Sequence, residues 1–349
     1  MVKPIVADNR IKNLVSEHIR EYIGEYYPNV DFSNIILKHA FFAWKYHRSI
    51  IYQFNISNGN GFRKSLIAKA RLQNYHYGDT DKKLDTVFEY KDLSFLNKLD
   101  PLLAVPVVFD VLKDEGILLT EKVPGHRLDW YLCRMSYLPF TEKKKRFLHE
   151  AFFKAGAWLR AFHDAGFPEK KRSIDTQEFL GNAEAVAREI VNFGFPKELV
   201  ERVLDKMRSL EADAGRYNFY SSFKHGDFQA MNIIYHAGKV TVLDVSVSKR
   251  DITVKDISNF IVGSYTYDIK LPYSTLNCGI FADLSKSYLK GYFKGEKIPY
   301  SAIRFVAFLG LLQIFSATYN RNISPIKKQF ILNFFKNKIS RICEKDWIV

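Results

Sequence analysis

One segment constrains this chain more than any other: Phe223-Lys-His-Gly-Asp-Phe-Gln-Ala-Met-Asn-Ile-Ile-Tyr235, in which His225, Asp227 and Asn232 follow the order H-x-D-x-x-x-x-N. Two short β-like runs, Asn232 to Tyr235 and Val240 to Val245, flank His236-Ala-Gly-Lys239, and Asp244 stands near the end of the second. A turn of that length folds one strand back on the other, so Asp244 is expected to face the same site as Asp227 and Asn232. Carboxylate, carboxamide and second carboxylate then converge as a set of hard oxygen donors. A loop and hairpin of this size cannot fold alone, and the rest of the chain must hold it in place.

Upstream, the apolar pattern changes character twice. Asp8 caps an expected helix through Ile11, Leu14, Val15, Ile19 and Ile23, which ends near Tyr27-Pro28. Ser49 to Ile56 and Ser65 to Arg71 flank Ser-Asn-Gly-Asn-Gly and read as a hairpin whose second strand carries Lys69. After a polar loop at 78–81, Thr86 to Leu99 has helical spacing with Glu89 in its first turns, and Pro106 to Leu112 and Gly116 to Val123 read as further strands. Beyond Pro124 the pattern is mostly helical. Leu148, Phe152, Ala155, Leu159 and Phe162 form one buried stripe that ends at His163, read as a packed histidine, and 184–210 holds one or two more helices. The expected division is a β-rich lobe over 1–122 and a helical lobe over 123–349.

Composition narrows the class. A chain of 349 residues with 47% hydrophobic and 26% charged residues is globular and large enough for two domains. Cys133, Cys278 and Cys343 lie far apart with no C-x-x-C pair, which argues against a disulfide scaffold or zinc knuckle and fits a reducing compartment. The first ten residues show no secretory pattern, and the longest apolar stretch, Phe305 to Leu312, is short of the roughly 20 residues that span a bilayer, so a cytoplasmic location is expected. Lysine and arginine exceed acids by 52 − 38 = 14, a field that attracts phosphate. Aromatic residues are spread among the lysines rather than gathered in one stacking platform, which speaks against nucleic acid as the partner.

The segments His225 to Asn232, Leu243-Asp244 and Lys255-Asp-Ile-Ser-Asn-Phe260 resemble those of the aminoglycoside phosphotransferase-like kinases, a family that includes choline, homoserine and fructosamine kinases and is related to protein kinases. Asp244 is followed by Val-Ser rather than Phe-Gly, and only eleven residues separate Asp244 from Asp256 by the sequence numbering, too few for a protein-kinase activation segment. The resemblance implies an α+β, bilobal protein-kinase-like fold and an ATP- and Mg²⁺-dependent kinase. In it, Asp227 orients and deprotonates the acceptor hydroxyl, and His225 braces the loop. Asn232 and Asp244 hold Mg²⁺, while Lys69, paired with Glu89, contacts the α and β phosphates. Adenine is expected to meet backbone groups near Glu121 and Val123 at the hinge. The turn that covers the phosphates falls at 43–49 without a glycine, so Lys45, Arg48 or Ser49 stands in for the usual close backbone approach. Residues 58–65 end in Lys-Ser but lack the glycines of a nucleotide loop and join strand to strand.

The acceptor is read from charge. From Ser264 onward five acids face thirteen lysines and arginines, which disfavours a polycationic aminoglycoside and favours a neutral or anionic hydroxyl compound, such as a sugar, glycan or glycolipid intermediate. A choline-type amino alcohol remains open if tyrosines form a cage. A catalytically silent scaffold at an anionic surface is the reading from another class, although the chain retains Asp227, Asn232 and Asp244. The last helix, Ile326 to Ile342, has apolar residues over more than half its circumference, which suits burial better than peripheral contact with a membrane.

Overall fold

The computed structural model describes residues 9–40, 49–58, 60–71, 82–136, 141–168, 171–265, 278–320 and 324–344. The chain forms two compact units: residues 1–124 with 241–246, and residues 125–240 with 247–349. The six residues around Asp244 therefore cluster with the first unit.

The first unit contains α1 (Asn9–Tyr26), β1 (Ile36–Ala40), β2 (Ser49–Ser57), β3 (Arg63–Arg71), α2 (Lys82–Leu99), β4 (Val108–Leu112) and β5 (Ile117–Glu121). Its strands form one antiparallel sheet in the order β1-β2-β3-β5-β4. The three-and-four spacing of α1 buries Val15, Ile19 and Ile23 against Tyr52, Phe54, Leu66, Ala68, Phe109 and Leu119 from the sheet. Two polar contacts fix that helix: His18 Nε2 meets Asp110 at 2.7 Å, and the Tyr27 hydroxyl just beyond its end donates to Glu121 at 2.5 Å. The β2–β3 turn is closed by Asn58, whose side-chain oxygen accepts from the amides of Asn60 and Phe62, and Gly61 supplies a φ of +93°. Residues 58–65 are thus a hairpin.

The second unit is helical around a small strand system. It comprises β6 (His126–Arg127), α3 (Leu128–Ser136), α4 (Glu142–Ala165), β7 (Arg172–Ser173), α5 (Thr176–Asn192), α6 (Lys197–Ala214), β8 (Asn218–Phe219), β9 (Ser221–Phe223), a 3-10 turn at Ala230–Asn232 and β10 (Ile233–His236). Then follow β11 (Lys239–Val242), β12 (Arg250–Ile252), α7 (Val254–Tyr265), α8 (Cys278–Phe293), α9 (Tyr300–Tyr319) and α10 (Pro325–Glu344). α4 and α8 approach until backbone meets backbone: a Cβ placed on Gly156 would lie 2.0 Å from the Tyr288 carbonyl oxygen, and one on Gly291 would lie 2.0 Å from that of Phe153. Only glycine fits at such a crossing.

By length and composition α9 could cross a bilayer, with mean hydropathy 1.5, but 67% of that window is buried inside the protein. It is packed by α5, α6 and α7, as a core helix is. In α10, Ile331, Leu332, Phe335 and Ile339 are buried, whereas Ile326 and Phe330 are exposed.

Candidate active site

In the first unit, β3 and α2 assemble a charge cluster. Residues two apart on a strand share a face, so Lys69 and Arg71 project together, and both grip Glu89 on α2. Lys69 Nζ donates to Oε1 at 2.8 Å and Arg71 donates to Oε2 at 2.6 Å. Lys69 also pairs with Asp244, which lies 175 residues away in sequence. Burial would lower the Lys69 pKa, but the carboxylates of Glu89 and Asp244 more than offset it, so the ammonium titrates above its ordinary range. With the Lys69 side chain 19% exposed, these contacts fix the direction of a charge that ligand can still reach.

Asp244 does not end a strand, because β11 stops at Val242. Its φ is +54°, a left-handed conformation that aspartate tolerates better than most residues and that ordinarily carries a cost of about 1 kcal/mol. A contact two residues later secures the segment: Ser246 Oγ donates to Asp92 on α2 at 3.0 Å. Since Glu89 and Asp92 are three apart on one helix, α2 holds both Lys69 and the segment that carries Asp244.

The segment His225 to Asn232 lies in the second unit. Phe228 anchors it from below, stacked on Trp158 at 5.8 Å and packed against Phe260 at 5.3 Å. Buried Asp256, near the start of α7, accepts the amides of His225 at 2.8 Å and Gly226 at 2.9 Å, and it contacts His163 Nε2 at 3.4 Å. His163 meets the Tyr292 hydroxyl through its other ring nitrogen, so it is a packed brace for the loop. Burial pushes the Asp256 pKa up, but the imidazole of His163, the charge of His225 and the Gly226 amide outweigh it, and the carboxyl titrates below its ordinary value. Gly226 permits the reversal before Asp227 with φ +76°. The His225 Nδ1 accepts from the Asp227 amide at 3.3 Å.

Asp227 is held at both carboxylate oxygens. Gln229 Nε2 donates to Oδ1 at 2.6 Å, and Asn232 Nδ2 donates to Oδ2 at 3.0 Å and to the Asp227 carbonyl at 2.9 Å. Asn232 thus spends its amide nitrogen on Asp227, and its Oδ1 is by chemistry an acceptor. A carboxamide oxygen here and a carboxylate at Asp244 are the donor chemistry that suits Mg²⁺. Among the described residues no group of three or more His, Cys, Asp or Glu side chains forms a metal cluster.

The structure thus brings Lys69, Glu89 and Asp244 together in one unit and His225, Asp227 and Asn232 together in the other. Ser49 is buried as the first residue of β2, opposite Arg71, while Lys45 and Arg48 lie outside the described residues. The Glu121 side chain is engaged by Tyr27 and by Lys64 at 3.0 Å. At the backbone, the Glu121 amide donates to Val107 and the Lys122 amide to Ser65. Arg71, Asp92, Gln229 and Asp256 were not singled out from sequence as site residues. Two faint signals existed, since Arg71 repeats the strand period of Lys69 and Asp92 the helix period of Glu89.

The model of the phosphotransferase enzyme family matches residues 56–246, more than half of the chain. The chain belongs to the phosphotransferase enzyme family. It is an enzyme of the kinase type, with the bilobal α+β fold of the protein-kinase-like small-molecule kinases. Among solved structures, this phosphotransferase is similar to choline kinase from Cryptosporidium parvum Iowa II, at TM-score 0.52 and 17% identity over 95% of this chain and 94% of that one. It is also similar to a glucosamine kinase in complex with glucosamine, ADP and inorganic phosphate, at TM-score 0.53 and 12% identity over 89% of this chain and 83% of that one. No curated protein matches the sequence.

Proposed function

We propose that this phosphotransferase moves the γ-phosphate of ATP to a hydroxyl of a small molecule of the sugar, glycan or glycolipid class. The observation that carries the reading is the two-sided hold on Asp227, which leaves a carboxylate of fixed orientation beside Asn232. Asp227 takes the proton of the acceptor hydroxyl as its oxygen bonds to the γ-phosphorus. The bond from that phosphorus to the β,γ-bridging oxygen breaks, and ADP leaves with the bridging oxygen. A weak base suffices because a loose transition state needs the proton removed only late.

Lys69, directed by Glu89, takes the α and β phosphates, and Asn232 and Asp244 serve as the Mg²⁺ ligands. Magnesium when bound neutralises charge on the phosphates and aligns them. At the hinge, with the Glu121 and Lys122 amides used by the sheet, the Glu121 carbonyl and the Val123 amide are the groups assigned to adenine. His225 is assigned to bracing Asp227.

The acceptor class rests on the basic excess from Ser264 onward, which repels polycations. A panel of neutral sugars, anionic sugars, amino alcohols and aminoglycosides assayed with γ-labelled ATP tests it. Label transfer to a neutral or anionic polyol is the expected result. Efficient labelling of aminoglycosides with none of polyols would reject the acceptor class and leave the transfer chemistry standing, whereas no transfer to any acceptor and no Mg²⁺-dependent ATP binding would favour the silent scaffold.

A further inference from the structure

The side of α2 turned away from the sheet has the wrong composition for a face in water. Thr86, Asp92, Leu93 and Leu96 point inward and are buried. Outward point Leu84, Phe88, Phe95 and Leu99, which are 52%, 46%, 40% and 38% exposed. At 3.6 residues per turn these four fall within an arc of about 60°, on a helix about 27 Å long. Leu102 and Val107, in the segment that follows, are more than half exposed as well. A solvent face normally carries the polar residues of an amphipathic helix, and two pairs of exposed apolar side chains, one on either side of Lys91, mark a contact surface.

Charge on the helix is sorted. The acids Asp85, Glu89 and Asp92 all turn toward the sheet side, where Asp85 and Glu89 meet Arg71, Glu89 also meets Lys69, and Asp92 holds Ser246. The exposed lysines Lys91 and Lys98 border the apolar strip on its other edge. Lys91 sits between Phe88 and Phe95, one turn from each. In a seam between two helices its ammonium would be taken out of water, which is expensive without a dedicated partner. At a bilayer surface its methylene stem lies along the apolar boundary while the ammonium reaches the headgroup phosphates. We propose that the outer face of α2 docks this protein on an anionic lipid bilayer, with Leu84, Phe88, Phe95 and Leu99 entering the headgroup boundary and Lys91 and Lys98 pairing with lipid phosphates.

The test is co-sedimentation of the full chain with vesicles of phosphatidylcholine alone and of phosphatidylcholine containing one-third phosphatidylglycerol. The expected result is binding to the anionic vesicles that weakens at high salt, falls about tenfold or more in the Phe88→Asp/Phe95→Asp double variant and severalfold in Lys91→Glu. Circular dichroism and thermal melting establish that the variants are folded, and Phe88→Gln/Phe95→Gln replaces the double variant if it is not. Equal binding to neutral vesicles, no binding to either, or undiminished binding by the folded variants would overturn the proposal. Light scattering adds a separate outcome: a parent dimer that the same substitutions convert to monomer would assign the face to a second copy of the chain instead.

Discussion

The proposed base, Asp227, is held by two amides. Because Gln229 and Asn232 each occupy one carboxylate oxygen, the carboxylate cannot rotate without losing a charge-assisted hydrogen bond. Asp227→Asn preserves the shape but removes the proposed proton acceptor. Transfer should fall by about a hundredfold to ten-thousandfold, with nucleotide affinity, read by calorimetry, nearly unchanged; normal turnover would displace Asp227 from its role. A second residue-scale prediction concerns Asp256. Its folded pKa is depressed, so the stability it contributes is present above the unfolded aspartate value of about 3.9 and is lost as pH falls through the lower folded value. Asp256→Asn should therefore be less stable than the parent at neutral pH, and its urea midpoint should decline less steeply below about pH 4. Equal slopes for the two proteins would show that the acid sensitivity resides elsewhere.

At the scale of elements, α2 indexes two parts of the first unit at once, through Glu89 to Lys69 and through Asp92 to Ser246. Removing the second contact should free the segment around Asp244 to leave its left-handed backbone. Asp92→Ala and Ser246→Ala are each expected to weaken Mg²⁺-dependent nucleotide binding severalfold while leaving binding in EDTA unchanged, and the double variant should be little worse than either single one, because both remove one bond. Strict additivity would dissolve the link. These contacts explain what could be read in advance. Lys69 and Glu89 were legible because each sits in an element with a clear period, and Asp227 and Asn232 because their spacing is fixed within one loop. Asp92 and Asp256 were not, since their partners lie 154 and about 30 residues away and only packing brings them together. Nor did any residue pattern signal that β11 would end at Val242, two residues short of Asp244.

At the scale of the molecule, the loop that carries Asp227 rests on helices that meet at two glycines. Gly156→Ala drives a methyl into the Tyr288 carbonyl, so α4 and α8 must separate, and a loss of at least about 1–3 kcal/mol in urea unfolding is expected. Since α4 also carries His163, which contacts Asp256, transfer should fall along with stability; a variant as stable as the parent would show that the helices have room to spare. The first unit has a different dependence, on the order in which the chain is made. Its residues 1–124 leave the ribosome long before residues 241–246. Lys69 meets Glu89 early, but Asp244 arrives 175 residues later, roughly nine to thirty-five seconds at ordinary rates of synthesis. Through that interval the nascent sheet holds its lysine with one of its two carboxylates. A chain stalled or truncated before residue 241 would carry Lys69 and the helix that holds it without the segment that completes their unit.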